Sequence, residues 1–367
     1  MTRPRVVLLR GHSANPWDLR PWELLRDRFD VAVLVTRSNA FDVSALDVEV
    51  KRVDALRDRL PAGRAGDLAA LALGDRYLRL EEKLRGADIV HAAEIGVPYS
   101  HGAALLRDRL GFKLVLTVWE TIPFGEAYRR FRGRRQRRET IPRVDLFLPT
   151  TERARRMLLL EGAPAERCEV APPGIDTGRF AALPPPASHL VLSVGRLVWE
   201  KGHQDLLRAL AWLRRRGRDV HALVVGAGPE AARLRAHARD LGVDDLVEWR
   251  TDVAYGDMPG VFGEASCFVL ASLPTPFWEE QFGMVLAEAA AAGLPIVAAS
   301  SGAIPEVLRD HGRLFPPGDW EALALALEEV TSTPPRRDDH QELVSVYSTE
   351  AAAARYADAY ERLLASR

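Results

Sequence analysis

Cysteine is scarce in this chain. Only Cys168 and Cys267 occur in 367 residues, far apart, with no CxxC spacing and no histidine pair near either. That argues against a disulfide scaffold or a zinc site and suits a reducing compartment. No apolar run approaches the roughly 18 residues a membrane span requires. The opening MTRPRVVLLRGH carries too short an apolar stretch for the core of a signal peptide, so the expected location is cytoplasmic. The net charge is −1, which leaves no overall positive field for nucleic acid. No two aspartates stand in DxD spacing, so neither a metal bridging a diphosphate nor a bound cofactor is expected. Lysine is the other scarcity. Of 50 basic residues only Lys51, Lys83, Lys113 and Lys201 are lysines, so arginine serves wherever a generic cation suffices and each lysine stands out.

What is present reads as two domains, at roughly 100–200 residues for each. Hydrophobic residues make up 47% and charged residues 28%, a globular mix. Short β-branched runs alternate with longer amphipathic segments, the pattern of βα units around parallel sheets. Strands are expected at Val6–Arg10, Val31–Thr36, Ile89–Ala92, Leu114–Val118 and Leu146–Thr150. One helix is expected over 68–86, closing at Gly86. Three prolines, Pro184–Pro186, then mark an extended connector and the expected boundary between domains 1–180 and 187–345. Beyond it the pattern restarts with strands at Leu190–Val194, Val220–Val225, Cys267–Ala271 and Ile296–Ala299. Helices are expected over His203–Arg216, Glu230–Leu241, Gly283–Ala292 and Thr349–Leu364.

Four segments carry residues suited to chemistry. In VLSVGRLVWEKGH a strand ends at Val194, Gly195 allows a turn, and Arg196 and Lys201 lie in the loop feeding the next helix. Ligands of open parallel sheets bind at the carboxyl ends of strands, and two cations beside a helix N-terminus suit a diphosphate. In EEQFGMVLAEA, Glu280 and Glu288 flank a helix opening at Gly283, and carboxylates suit hydroxyl-rich ligands. SSGAIPEVL and APPGID supply two further loops. A rival signal is VVGAGPEAARL, where Gly226 and Gly228 fit a dinucleotide-binding fingerprint with Glu248 about 20 residues on; this leaves an NAD- or FAD-dependent oxidoreductase as an alternative. The arginine run 129–138 is either a solvated face or a dock for anionic lipid, with Tyr128 and Phe131 available for shallow insertion.

Taken in order, GRLVWEKG, the Glu280/Glu288 pair around Phe282–Gly283, SGAIPEV and PPGID resemble the retaining, nucleotide-sugar-dependent glycosyltransferases of family 4. The resemblance implies an α/β GT-B fold, two Rossmann-like domains with parallel sheets facing a cleft, and a C-terminal helix, about 349–367, packed back on the first domain. It implies donor diphosphate contacts from Arg196 and Lys201, sugar hydroxyls on Glu280 and ribose hydroxyls on Glu288. It also implies contacts from Gly195 and from backbone amides at Gly283, Met284 and Val285, with Gly11 on the phosphate side in the first domain. The reaction it implies passes a sugar from a nucleotide-diphosphate sugar to a glycan, lipid-linked or small-molecule hydroxyl, without metal and with retention. A sugar-nucleotide epimerase on the same fold is a further alternative. The sequence departs from the family where a His-Asp pair is usual: Trp119 and Glu120 stand there. With His12 and His91 they are the acceptor-side candidates, although a strand-end histidine is more often a satisfied core group.

Overall fold

The computed structural model describes residues 3–61, 63–73, 76–125, 131–181 and 183–366. It divides into two compact units, Met1–Ile175 with Ser348–Arg367, and Asp176–Tyr347.

The first unit is built on β1 (Arg5–Gly11), β2 (Asp30–Thr36), β3 (Glu49–Val53), β4 (Ile89–Ala93), β5 (Lys113–Val118) and β6 (Leu146–Pro149). They form one parallel sheet in the order β3-β2-β1-β4-β5-β6. Val6 registers with Val31 on one side and Ile89 on the other. Central strands read VVLL and AVLV because helices cover both faces, so neither face alternates with polar residues. One face packs Val7, Leu9, Val90, Leu114 and Leu116. The other packs Val6, Leu8, Val33 and Ile89 under the C-terminal helix Thr349–Ala365. Each such side chain contributes about 1.5–3 kcal/mol through burial.

That last helix starts where Ser348 accepts the amide hydrogen of Ala351. It buries Tyr356 and Tyr360 against Trp22, whose ring stacks on Tyr356 at 4.6 Å between centroids. The indole of Trp22 donates to the Tyr360 hydroxyl at 2.8 Å.

The second unit repeats the plan with β7 (Leu190–Val194), β8 (His221–Val225), β9 (Val247–Arg250), β10 (Cys267–Leu270), β11 (Ile296–Ala299) and β12 (Arg313–Phe315). All are parallel, in the order β12-β11-β10-β7-β8-β9. In both sheets the first strand of the unit lies beside the fourth. The strand order therefore reverses at β1/β4 and again at β7/β10, and such a reversal opens a crevice at the strands' carboxyl ends.

Two expectations need correction. The segment 68–86 is not one helix. A helix Arg64–Leu73 and a short helix Leu80–Leu84 are separated at Tyr77, which bridges Ala55, and Arg79 adopts a left-handed φ of 53°. The Tyr77 ring is needed in the core, and a continuous helix would not deliver it there. The chain also does not cross between units at the prolines. It crosses at Ile175/Asp176 and Tyr347/Ser348, where the amide of Thr349 donates to Ile175 at 3.0 Å. Pro184–Pro186 belong to the second unit, because the Arg337 guanidinium donates to the carbonyls of Leu183, Pro184, Gly263 and Ala265.

Candidate active site

In the second unit the reversal point is lined by the loop after β7, residues 195–202, and the loop after β10, residues 271–283. The amide of Leu273 donates to the carbonyl of Glu200 at 2.8 Å and zips the two loops together. This brings side chains far apart in sequence into contact. The Lys201 Nζ lies 2.6 Å from Glu280 Oε2, with both side chains largely buried. The Ser272 hydroxyl donates to the same oxygen at 2.6 Å. The Lys201 ammonium also stands 5.0 Å from the centroid of the Trp278 ring, within cation–π range. Gly195 leaves space beside the lysine stem: a Cβ there would come within 3.6 Å of Lys201 Cδ. The Glu280 carbonyl accepts the amide of Ala303 at 2.8 Å, so the SGAIPEV loop fixes the glutamate from behind.

Gly283, at φ 80°, caps the helix Met284–Ala291. The first amides of a helix have no partner within it, so Met284 and Val285, half-buried at its first turn, present N–H groups and the positive end of the helix dipole. Glu288, one turn further, is buried, and Tyr255 donates to its Oε1 at 2.7 Å. Arg196 is exposed on the loop after β7, and no ion pair to it occurs among the described residues. His203 opens the next helix, buried, with Nδ1 3.2 Å from the Ser193 hydroxyl; burial pulls its imidazole down to about 4, so it is neutral. Among the described residues, no group of three or more His, Cys, Asp or Glu side chains is placed to hold a metal ion.

Two family models tile nearly the whole chain. One, "Glycosyltransferase Family 4", matches residues 22–179, and the other, "Glycosyl transferases group 1", matches residues 175–343. The chain belongs to the family-4 glycosyltransferases. A GDP-mannose-dependent alpha-(1-6)-phosphatidylinositol monomannoside mannosyltransferase of Mycolicibacterium smegmatis is 33% identical over 192 residues, 47% of this chain and 49% of that one. The amylovoran biosynthesis glycosyltransferase AmsK of Erwinia amylovora is 28% identical, over 72% of this chain and 66% of its own. The match to the mycobacterial relatives spans about half their length or less. Among solved structures, Anabaena HepE in complex with UDP superposes with a TM-score of 0.78 at 19% identity, covering 98% of this chain and 100% of that one. Sucrose-phosphate synthase from Thermosynechococcus elongatus gives the same TM-score and identity, with full coverage of both chains. The fold is GT-B.

In this chain the rival fingerprint has a packing explanation. A Cβ at Gly226 would fall 1.9 Å from the Gly195 carbonyl oxygen, and one at Gly228 2.3 Å from that of Leu197. Those glycines let the loop after β8 lie flat on the loop after β7, where Leu197 donates to Ala227 and Glu230 to Leu197.

The first-unit candidates meet mixed outcomes. Gly11 ends β1 in a left-handed conformation, φ 63°, but its amide already donates to the Tyr77 hydroxyl at 2.8 Å, and that hydroxyl donates to Leu34. Its own N–H is therefore not on offer to a phosphate. His12 follows it, half-buried. His91 is withdrawn as an acceptor contact: it is fully buried, with Nδ1 2.5 Å from Tyr360 and Nε2 2.7 Å from Thr117. Trp119 and Glu120 do lie at the carboxyl end of β5, half-buried. The Trp119 amide donates at 2.8 Å to Glu94, a residue that no sequence motif marked. Ser272 and Tyr255 are equally unmarked in the sequence. The usable signal for Ser272 and Glu94 is position alone, one or two residues beyond a strand.

In the arginine run, residues 128–130 lie outside the described residues, as does the side chain of Phe131. The helix Phe131–Thr140 exposes Arg134, Arg135 and Arg138. Arg137, by contrast, is buried and paired with Glu161. No helix among the described residues is long and apolar enough to cross a membrane.

Proposed function

We propose that this protein is a retaining, metal-independent glycosyltransferase. It takes its sugar from a nucleoside-diphosphate donor held by the second unit and passes it to a hydroxyl acceptor. The observation that carries this reading is the Lys201–Glu280–Ser272 cluster at the β7/β10 reversal. It sets a compact cation next to a carboxylate fixed for sugar hydroxyls, beside a helix N-terminus. Arg196, Lys201 and the amides of Met284 and Val285 would then oppose the charge that develops on the departing diphosphate. The anomeric carbon–oxygen bond to phosphate breaks, the acceptor oxygen bonds on the same face, and its proton passes to the leaving phosphate oxygen. Glu280 orients the sugar and Glu288 holds the ribose. The UDP bound in the HepE structure and the GDP-mannose in the name of the mycobacterial relative support a nucleoside diphosphate of either base. The exposed arginines of the helix 131–140 would bring the first unit to anionic lipid.

A thermal-shift panel of UDP, GDP and their sugars tests the donor. A ligand at 100 times its Kd stabilises by about 2.7 kcal/mol. Turnover should survive EDTA. No shift with any nucleotide sinks the donor assignment, and loss of turnover on chelation with recovery on Mg²⁺ or Mn²⁺ sinks the metal-free mechanism. Isomerised nucleotide sugar formed without acceptor would favour an epimerase instead.

A further inference from the structure

The loop after β10 holds an aromatic ring over a charge, and that ring takes no part in the mechanism above. Between Ser272 and Glu280 the chain reads LPTPFWE. The Leu273 amide ties the start of this stretch to the Glu200 carbonyl, and the Ala303 amide ties its end through the Glu280 carbonyl. Between those anchors Thr275 and Trp278 close a tight turn. The Thr275 amide donates to the Trp278 carbonyl at 2.7 Å, and the Trp278 amide donates back at 3.4 Å. The Thr275 hydroxyl donates to the same Trp278 carbonyl and accepts the amide of Phe277, each at 3.3 Å. Pro274 and Pro276 fix φ on either side of Thr275. The turn is therefore stiff, and it places the Trp278 ring with its centroid 5.0 Å from the Lys201 ammonium.

Lys201 needs such support. Its flexible four-carbon stem carries more rotamer freedom than one ion pair removes. Cγ, Cδ and Cε lie 3.6–3.8 Å from where a Cβ of Gly195 would stand, so the stem runs along bare backbone there. At the tip, Glu280 Oε2 holds one of the three N–H donors, and that oxygen is shared with the Ser272 hydroxyl. The Trp278 ring also borders the ammonium, and its being a ring matters electrostatically. A second carboxylate would grip the ammonium more firmly but cancel the charge a diphosphate requires. An aromatic quadrupole attracts a cation without carrying net charge. At 14% exposure the Lys201 side chain is largely desolvated, the condition under which that attraction is strongest.

We propose that Trp278 is a positioning residue for the donor's diphosphate. Its ring, fixed by the Thr275 turn, restricts the Lys201 ammonium without neutralising it, and Lys201 makes the contact. This rests on the glycosyltransferase reading above and deepens it: the stretch 273–279 serves the phosphates rather than the sugar or the base. The ring acts only through the lysine, so its effect disappears when the cation does.

The test is calorimetric titration of the full chain with UDP, GDP, UDP-glucose and GDP-mannose. Trp278→Leu should weaken the diphosphate that wild type binds by about tenfold, since the ammonium must then be ordered on binding. The matching nucleotide sugar should weaken by the same factor. With Lys201→Met already in place, Trp278→Leu should cost less than about twofold, because the ring has no cation left to hold. Trp278→Phe keeps a weaker aromatic face, so its loss should be smaller, about threefold, and should vanish in the same background. It carries the test if leucine is not accommodated. Three outcomes overturn the proposal: Trp278→Leu binds the diphosphate within about twofold of wild type, only the nucleotide sugar weakens, or the loss persists undiminished without the lysine. The second of these would put the ring on the sugar. A wild type that binds neither UDP nor GDP removes the donor reading and this proposal with it. Wild-type binding with any of the three outcomes removes this proposal alone.

Discussion

Replacing Lys201 with methionine keeps most of its volume and removes its charge. The ammonium lies 2.6 Å from Glu280 Oε2, and the two side chains are only 14% and 9% exposed. At an effective dielectric of 20, unit charges at that distance attract by roughly 6 kcal/mol. Desolvation offsets much of this, so the intact pair is worth far less than its Coulomb energy. Breaking it is a different matter, because Glu280 is left buried and charged with only the Ser272 hydroxyl, and such losses run to about 3–5 kcal/mol. For a domain of this size 1 kcal/mol shifts the melting midpoint by about 2–4 °C. Lys201→Met should therefore lower the second unit's midpoint by roughly 6–20 °C. The double variant Lys201→Met/Glu280→Gln should recover more than half of that, since no charge is then stranded. A kinetic arm uses Lys201→Arg. The guanidinium is a planar fork larger than an ammonium, and the Lys201 ammonium already lies 5.0 Å from the Trp278 ring centroid and 2.6 Å from Glu280. At least a tenfold loss in kcat/KM is expected, about 1.4 kcal/mol. Lys51→Arg, Lys83→Arg and Lys113→Arg should be near neutral. Calorimetry with the double-mutant cycle, plus steady-state kinetics, decides. If Lys201→Met melts within about 2 °C of wild type and the coupling is under about 0.5 kcal/mol, the pair is a solvated surface contact and the argument is wrong.

Glu280→Gln should mainly lower kcat, because it orients the sugar at the reacting carbon, and Glu288→Gln should mainly raise the donor KM; the reverse split would exchange their roles. Liposome co-sedimentation should require anionic lipid and weaken with salt, and Arg134→Glu/Arg138→Glu should abolish it; equal binding to neutral vesicles refutes docking through this helix. Burial holds the His91 imidazole well below 6.5. The unfolded chain therefore binds a proton that the folded one refuses, so stability is full above about 6.5 and declines as pH falls below it. Urea denaturation of His91→Gln between pH 5 and pH 8 should show that acid limb flattened, and an unchanged limb would assign it elsewhere.

How much of this was legible in the sequence follows from where each element sits. Central strands such as β1 and β10 read clearly, because sheets covered on both faces demand unbroken apolar runs. The edge strands β3, EVKRV, and β12, RLF, escaped because each pairs with a single neighbour and keeps exposed polar residues. The break at Tyr77 escaped because helical periodicity on either side of it is genuine, and only the tertiary need for its hydroxyl under Gly11 interrupts the helix. The motif around Gly283 could be seen because its residues are neighbours in sequence. Glu94 could not, because its bond to the Trp119 amide depends on β4 and β5 being adjacent.

The two reversal points also explain why one unit suits an anion and the other does not. Each places a glutamate beyond the fourth strand's end, Glu280 after β10 and Glu94 after β4. Glu280 is neutralised at contact distance by a lysine from the loop after the first strand of its own unit. With Arg196 exposed nearby and a helix N-terminus on the same loop, the local balance favours added negative charge. In the first unit the loop after β1 sends no cation to Glu94. Its amide at Gly11 is bonded to Tyr77, Glu120 adds a second carboxylate, and the buried guanidinium of Arg137 is held by Glu161. A diphosphate placed there would meet two carboxylates, and the nearest guanidinium is already paired with Glu161. The same strand topology thus carries a lysine-paired glutamate at one reversal point and two amide-held glutamates at the other, and the difference is made by which loop supplies a lysine.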